Sequence, residues 1–286
     1  MSYRIILFLA VFSFHGTLDA QPYIDVVSTF AQWSPDKGLV RRSHNKNVVD
    51  RQNVSLNMPF ILKDSSIILI GSNLDLWNVG ADTVDTVGLT GLGGSATFIK
   101  PFNKKWTGVF TLIARWNGNE SFQLNNAGQV GGALLLSYKK LPTLKYRFGL
   151  YYNKEFFGNF VVPFAGIEWN INSKNIIYGV LPGSLTWEHK MNDRFFYGLN
   201  FRAITTSYRN HPASSKQFIR IDDNQLNGFA DVYFSKRIVL AVEVGHSLVR
   251  QIRMGETGSK IKYTHKNKMN DNLFFKVGMA FRFRTA

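Results

Sequence analysis

The chain has 286 residues, 34 Lys+Arg against 19 Asp+Glu for a formal net charge of +15, and no cysteine. No disulfide framework can hold such a chain together, and after residue 20 no apolar run approaches the ~18 residues of a membrane-spanning helix. The positive charge suits an anionic surface such as lipid phosphates; nucleic acid is not an expected partner, because the basic residues are gathered in no single helix or arm.

The first residues, MSYRIILFLAVFSFHGTLDA, have the anatomy of a secretory signal peptide over 1–20. Arg4 supplies the positive end, Ile5 to Phe14 the apolar stretch, and the small Ala20 precedes a cut before Gln21. The remainder, 21–286, shows no compositional break and reads as one domain.

What recurs along it is a segment of alternating polarity followed by a turn. Segments at 23–33, 54–62, 66–78 and 89–100 show the pattern with some noise. The next, KWTGVFTLIARW at 105–116, shows it cleanly. Trp106, Gly108, Phe110, Leu112, Ala114 and Trp116 fall on one face, and Thr107, Val109, Thr111, Ile113 and Arg115 on the other. A period of 2 separates these sets and a period of 3.6 would mix them, so the stretch is a strand. Further segments follow at 128–139, 145–153, 161–171, 176–189, 194–206, 226–234 and 238–248. The last, LFFKVGMAFRFR at 273–284, sets Leu273, Phe275, Val277, Met279, Phe281 and Phe283 against Lys276, Arg282 and Arg284.

Short connections carry turn residues, as in LKDSS, PFNKK, NSKN and SKR. Long polar connections are expected at 34–53, 79–88, 117–127, 209–217 and 251–272. Along much of the chain short and long connections take turns, as they do in an outer-membrane barrel with short periplasmic turns and long outer loops. From Trp106 to Trp116 is ten steps of ~3.3 Å; tilted by ~40°, that projects to ~25 Å, the height of the apolar band on such a barrel. Indoles belong at its two edges. Aromatic residues at segment ends, Trp106, Trp116, Tyr138, Trp169, Phe195 and Phe283, are read as this girdle, with Trp77, Tyr152, Trp187 and Phe234 as further members. A soluble sandwich would not need them there. The expected fold is all-β, a transmembrane antiparallel up-and-down barrel of 12–14 strands in a bacterial outer membrane. Fourteen requires a turn at Pro182-Gly183, and twelve would leave 23–33 outside the wall.

The run VSLNMPFILKDSSIILIGSNLDLW (54–77), the central GIEWNINSKNIIYGVLPGSLTWEHKMNDRFFYGLNFR (166–202) and the closing amphipathic strand resemble an uncharacterised family of bacterial outer-membrane β-barrels, a domain of unknown function. The resemblance implies the fold over the mature chain and no activity. Barrels of this class end on an aromatic residue read by the barrel-assembly machinery, an implied partner; here Phe283 stands three residues before the end.

No catalytic, cofactor or metal site is expected. His246 and Ser247 alternate to opposite faces, so they cannot act as a pair from one strand, and there is no GxSxG. Asp82 and Asp85 are too sparse for calcium, and GLGGSAT (91–97) lacks the lysine of a phosphate loop. The informative residues are charges on faces read as lumenal: Arg115, Lys145, Arg147, Glu168, Arg202, Asp231, Glu243, Lys276 and Arg282, with Lys139 and Arg284. In a wide lumen they line an anion-preferring channel for small solutes; in a narrow one they pair into a plug. The first reading makes the protein a small porin-like transporter. The second leaves function to the basic outer loops, whose partners would be membrane lipids or lipopolysaccharide.

Overall fold

The computed structural model describes residues 22–34, 48–81, 84–119, 127–210, 216–257, 262–268 and 272–284. The stretch read as a signal peptide, His44, His211 and Asp82 lie outside them. The strands are β1 (Tyr23–Trp33), β2 (Val48–Ile61), β3 (Ile67–Ala81), β4 (Val84–Pro101), β5 (Trp106–Asn119), β6 (Gly128–Leu141), β7 (Leu144–Glu155) and β8 (Gly158–Asn170). The remainder are β9 (Asn175–Leu181), β10 (Ser184–Lys190), β11 (Phe195–Arg209), β12 (Gln217–Tyr233), β13 (Ile238–Glu256), β14 (Lys262–Lys268) and β15 (Leu273–Arg284).

Neighbours in the chain pair antiparallel, and β15 pairs with both β13 and β1, so the sheet returns on itself. Fourteen strands form the closed wall, and β14 continues the ladder above β15 by pairing with the outer part of β13. The 23–33 segment is a wall strand, and 176–189 divides at Pro182-Gly183 into β9 and β10. Three connections expected as long loops are shorter than the side-chain pattern suggested. β3 and β4 run to Ala81 and from Val84, β2 begins at Val48, and β13 extends to Glu256. Beyond the apolar band both faces of a strand are polar, so the alternation fades while backbone pairing continues.

Side chains alternate as the period-2 reading requires. On β5 Phe110 and Leu112 are 47% and 55% exposed on the outer wall, while the Thr111 hydroxyl meets that of Thr97 inside at 2.9 Å. The girdle is assembled at the end where β1 begins, β15 ends and the short turns lie: Trp106 packs on Tyr138 at 4.8 Å and Phe148 at 5.9 Å, Phe195 on Tyr197 at 6.1 Å, and Phe281 on Phe283 at 5.3 Å. Trp169 is exposed on the same outer wall, and Trp116 stands outward at the other edge on β5. Trp77 does not belong to the girdle. It shares the inward parity of Asp75 on β3 and is 1% exposed.

The wall is irregular at its outer end. β9 and β10 have seven residues each, ~23 Å of strand, which is short for a tilted crossing. Above their turn β11 leans inward until Arg209 bridges in parallel to Gly118 of β5. The outer ring therefore closes from β5 to β11, with β6 to β8 wrapped outside it.

Placing charge on the two faces of β5 tests the orientation. Phe110→Arg is expected to cost about 2–4 kcal/mol in the unfolding free energy of the vesicle-reconstituted protein, and Thr111→Arg less than about 1 kcal/mol. The opposite ranking would reverse inside and outside.

Candidate functional site

The barrel interior is built in layers, because each inward position of a strand faces others at the same height. Nearest the turns, Tyr178 of β9 donates to the Tyr23 hydroxyl of β1 at 3.3 Å. Arg284 of β15 donates two hydrogen bonds, 2.7 and 3.0 Å, to Glu188 of β10. Arg282 pairs with Asp25 and Asp231, both at 2.5 Å. On the wall nearby, Lys145 and Arg147 share Glu168. At mid-height Lys276 and Arg202 converge on Glu243, at 2.8 and 3.5 Å.

Above these lies a polar cavity of about 530 Å³ between β3–β5 and the inward-leaning edge of β11. Its charged lining is Arg51, Arg115 and Arg202 against Asp75, three guanidinium groups to one carboxylate. A second cavity of about 290 Å³, lined by Asn53, Ser55 and Asn57, shares Arg51, Asn73 and Ser95 with the first. Both run along the β2–β5 wall. Two glycines of β4 let neighbouring amides lie against this wall: a Cβ at Gly91 would lie 2.8 Å from Asn117 Oδ1, and one at Gly93 would clash with Asn73 Oδ1. The glycine-rich run of β4 therefore allows close approach of side chains from β3 and β5.

An apolar cap covers the cavity at the outer end. Val49, Trp77, Leu89, Tyr208, Ile219 and Ile221 pack there with Ile252, crossing the lumen from β2–β4 to β11–β13. Trp77 ties cap to cavity: its indole N–H donates to Asp75 at 2.8 Å and its ring lies 4.6 Å under the Arg51 guanidinium. Arg51 and Asp75 themselves pair at 2.8 Å. The lean of β11 is fastened by Ser207. Its hydroxyl donates to Glu155 at 2.6 Å and accepts from Gln129 at 3.0 Å, and its carbonyl accepts from Asn117 at 3.1 Å.

Among the charges read as lumenal, three groups meet: Lys145 and Arg147 with Glu168, Arg202 and Lys276 with Glu243, and Asp231 with Arg282. Arg115 joins Glu155 at 3.4 Å. Sequence reasoning missed the partners Asp25, Asp75, Glu155 and Glu188. They stand at strand ends or on strands whose alternation is noisy. It also missed Arg250 and Asp223, which form a double hydrogen bond of 3.1 and 3.1 Å, both buried. These two lie at a bulge where β12 and β13 lose register, and there Val249 has φ +58°. A bulge re-aims side chains, so simple alternation mis-assigns them.

His246 faces outward and its Nδ1 lies 2.8 Å from the Ser247 carbonyl oxygen, whereas Ser247 is buried inside. The two form no catalytic pair. His189 stands on the outer wall between Trp187 and Tyr197. Among the described residues no three His, Cys, Asp or Glu side chains cluster as metal ligands would.

The family described as Domain of unknown function (DUF6268) matches residues 82–282. Comparison with curated proteins gives no match. Among solved structures the NanC porin aligns over 89% of this chain and 98% of its own at 8% identity and TM-score 0.44. The KdgM porin aligns over 91% and 99% at 11% identity and TM-score 0.36. The translocator domain of the autotransporter NalP from Neisseria meningitidis aligns over 90% and 88% at 9% identity and TM-score 0.37. These likenesses concern the fold alone.

The bulge supplies a stability test. Arg250→Met leaves Asp223 buried without its partner and is expected to cost about 3–5 kcal/mol; Arg250→Met with Asp223→Leu should recover most of it. Val249→Gly, which relieves a positive φ at a β-branched residue, is expected to gain about 1 kcal/mol. Urea titration of the folded protein in vesicles measures all three.

Proposed function

The chain belongs to the DUF6268 family, and on its barrel architecture we propose that it is a small outer-membrane channel whose passage is capped in the conformation described. The observation that carries this reading is the polar cavity of about 530 Å³ with three guanidinium groups to one carboxylate. Buried polar space is costly to leave unfilled, so a cavity lined by Arg51, Asn73, Arg115 and Asn117 suits a polar occupant. A lumen of this kind suits small anions: the guanidinium groups offset part of the dehydration of a carboxylate or phosphate.

The cap is the gate in this reading. Its side chains are apolar and come from two halves of the wall, so it can part without breaking an ion pair of the layers below. The paired charges nearer the turns narrow the passage, which fits a low-conductance pore better than a wide one. A second reading keeps the barrel shut and leaves binding to the basic outer loops. The same paired layers favour it, since two of their contacts, Tyr23–Tyr178 and Arg284–Glu188, reach across the lumen.

Conductance in planar bilayers separates the two. Wild-type protein is expected to give rare, small openings, and Tyr208→Ala with Ile219→Ala frequent ones with a reversal potential that favours anions. Arg51→Gln with Arg202→Gln should remove that preference. Folded cap variants that give no openings would leave the shut barrel as the answer.

A further inference from the structure

The six short turns at the terminal end of the barrel share a composition. Leu62 is followed by Lys63, Phe102 by Lys104 and Lys105, and Lys139 and Lys140 by Leu141. Ile171 is followed by Lys174, Met191 by Arg194, and Phe234 by Lys236 and Arg237. Every turn thus pairs a large apolar residue with at least one cation. The apolar members are exposed rather than tucked away, Phe102, Met191 and Phe234 by 61%, 59% and 66%. The carboxylates within these turns are Asp64 and Asp193, each engaged by a lysine at 2.5 and 2.7 Å. The hydrogen bond from Lys100, with those from Ser66, holds the Asp64 carboxyl down to about 2, so it is ionised and its lysine neutralised. The collar remains strongly positive.

At three of these turns a side chain lies on the outer wall rather than on the end face of the barrel. Arg237 stacks over the outward rings of Phe283 at 4.6 Å and Phe281 at 6.0 Å. Lys140 stands 5.8 Å over outward Tyr146. The Phe102 ring covers the outer face of β5 at Gly108. Aromatic residues of a girdle sit at headgroup depth, and cations stacked upon them sit at the depth of the phosphates.

We infer that this collar binds anionic phospholipid headgroups of the periplasmic leaflet, selecting lipids such as phosphatidylglycerol into the first shell around the barrel. The apolar member of each turn enters the acyl boundary and its lysine or arginine meets the phosphate from above. Such an arrangement is arranged around the whole circumference, as an annulus of lipid is, whereas a docked protein would need its contacts gathered on one patch. The inference does not depend on whether the lumen conducts.

The test uses the full folded protein in phosphatidylcholine vesicles containing phosphatidylglycerol, with brominated chains on one lipid or the other, and reads quenching of tryptophan fluorescence. Each surface cation near anionic lipid is worth about fivefold at low salt. Wild type is therefore expected to prefer brominated phosphatidylglycerol by at least about fivefold, falling towards parity at 1 M salt. The variant with Lys104, Lys105, Lys140, Lys236 and Arg237 each replaced by Gln should show parity at low salt. These positions lie outside the paired interior, so the variant should fold; heat-resistant migration on a cold gel confirms it. Lys262→Gln with Lys266→Gln and Lys268→Gln, on β14 towards the opposite end, should keep the preference. Equal quenching in wild type, a preference undiminished in the collar variant, or one lost only in the β14 set would each overturn the inference. So would collar-dependent sedimentation with peptidoglycan sacculi by a wild type that shows no lipid preference.

Discussion

In a bilayer no water is present to satisfy a backbone N–H or C=O, so a strand can cross only as part of a ladder that closes. Everything else in this molecule depends on that closure. β1 reaches β15 across nearly the whole length of the chain, and β13 hands its lower half to β15 and its upper part to β14. Once the ring is closed, each side chain has only two directions available. The outer direction selects for apolar residues and, at the edges, for aromatic ones. The inner direction is then free of that demand and carries nearly all the polar chemistry.

The interior answers a second constraint. Charged groups taken from water must find opposite charges or retain water. Along β7, β8, β11, β13 and β15 the first solution is used, with basic residues sharing carboxylates such as Glu168 and Glu243. Along β2–β5 the Arg51–Asp75 pair stands among small and uncharged residues that leave polar space. The lumen is therefore asymmetric, packed on one side and roomy on the other.

The short β9–β10 hairpin shapes the outer end. It cannot supply wall at full height, so the neighbouring strands rearrange: β11 leans to β5, and Ser207 is drawn into hydrogen bonds with Gln129 and Glu155 from β6 and β7. A serine on the lipid-facing parity of its strand thereby becomes fully buried. The lean also carries Tyr208 into the cap, so a local shortage of strand length and the closure of the lumen have one origin.

Much of this was legible in the residues alone. Which face of β5 or β15 turns outward follows from a period of two, a property of each strand by itself, and the same pattern picked out residues that meet as Lys145 and Arg147 with Glu168 and as Arg202 and Lys276 with Glu243. The turn at Pro182-Gly183 could be posed as a question, and the girdle residues could be named, except Trp77, whose large ring matched the outward type while its parity pointed in. What only the tertiary structure decided is which charge meets which. Arg282 with Asp25, Arg284 with Glu188 and Arg250 with Asp223 depend on register, bulges and the curvature that brings distant strands face to face. The cap and the Ser207 clasp belong to the same class. Facing is a local consequence of alternation, whereas pairing across a lumen depends on where the whole ring closes.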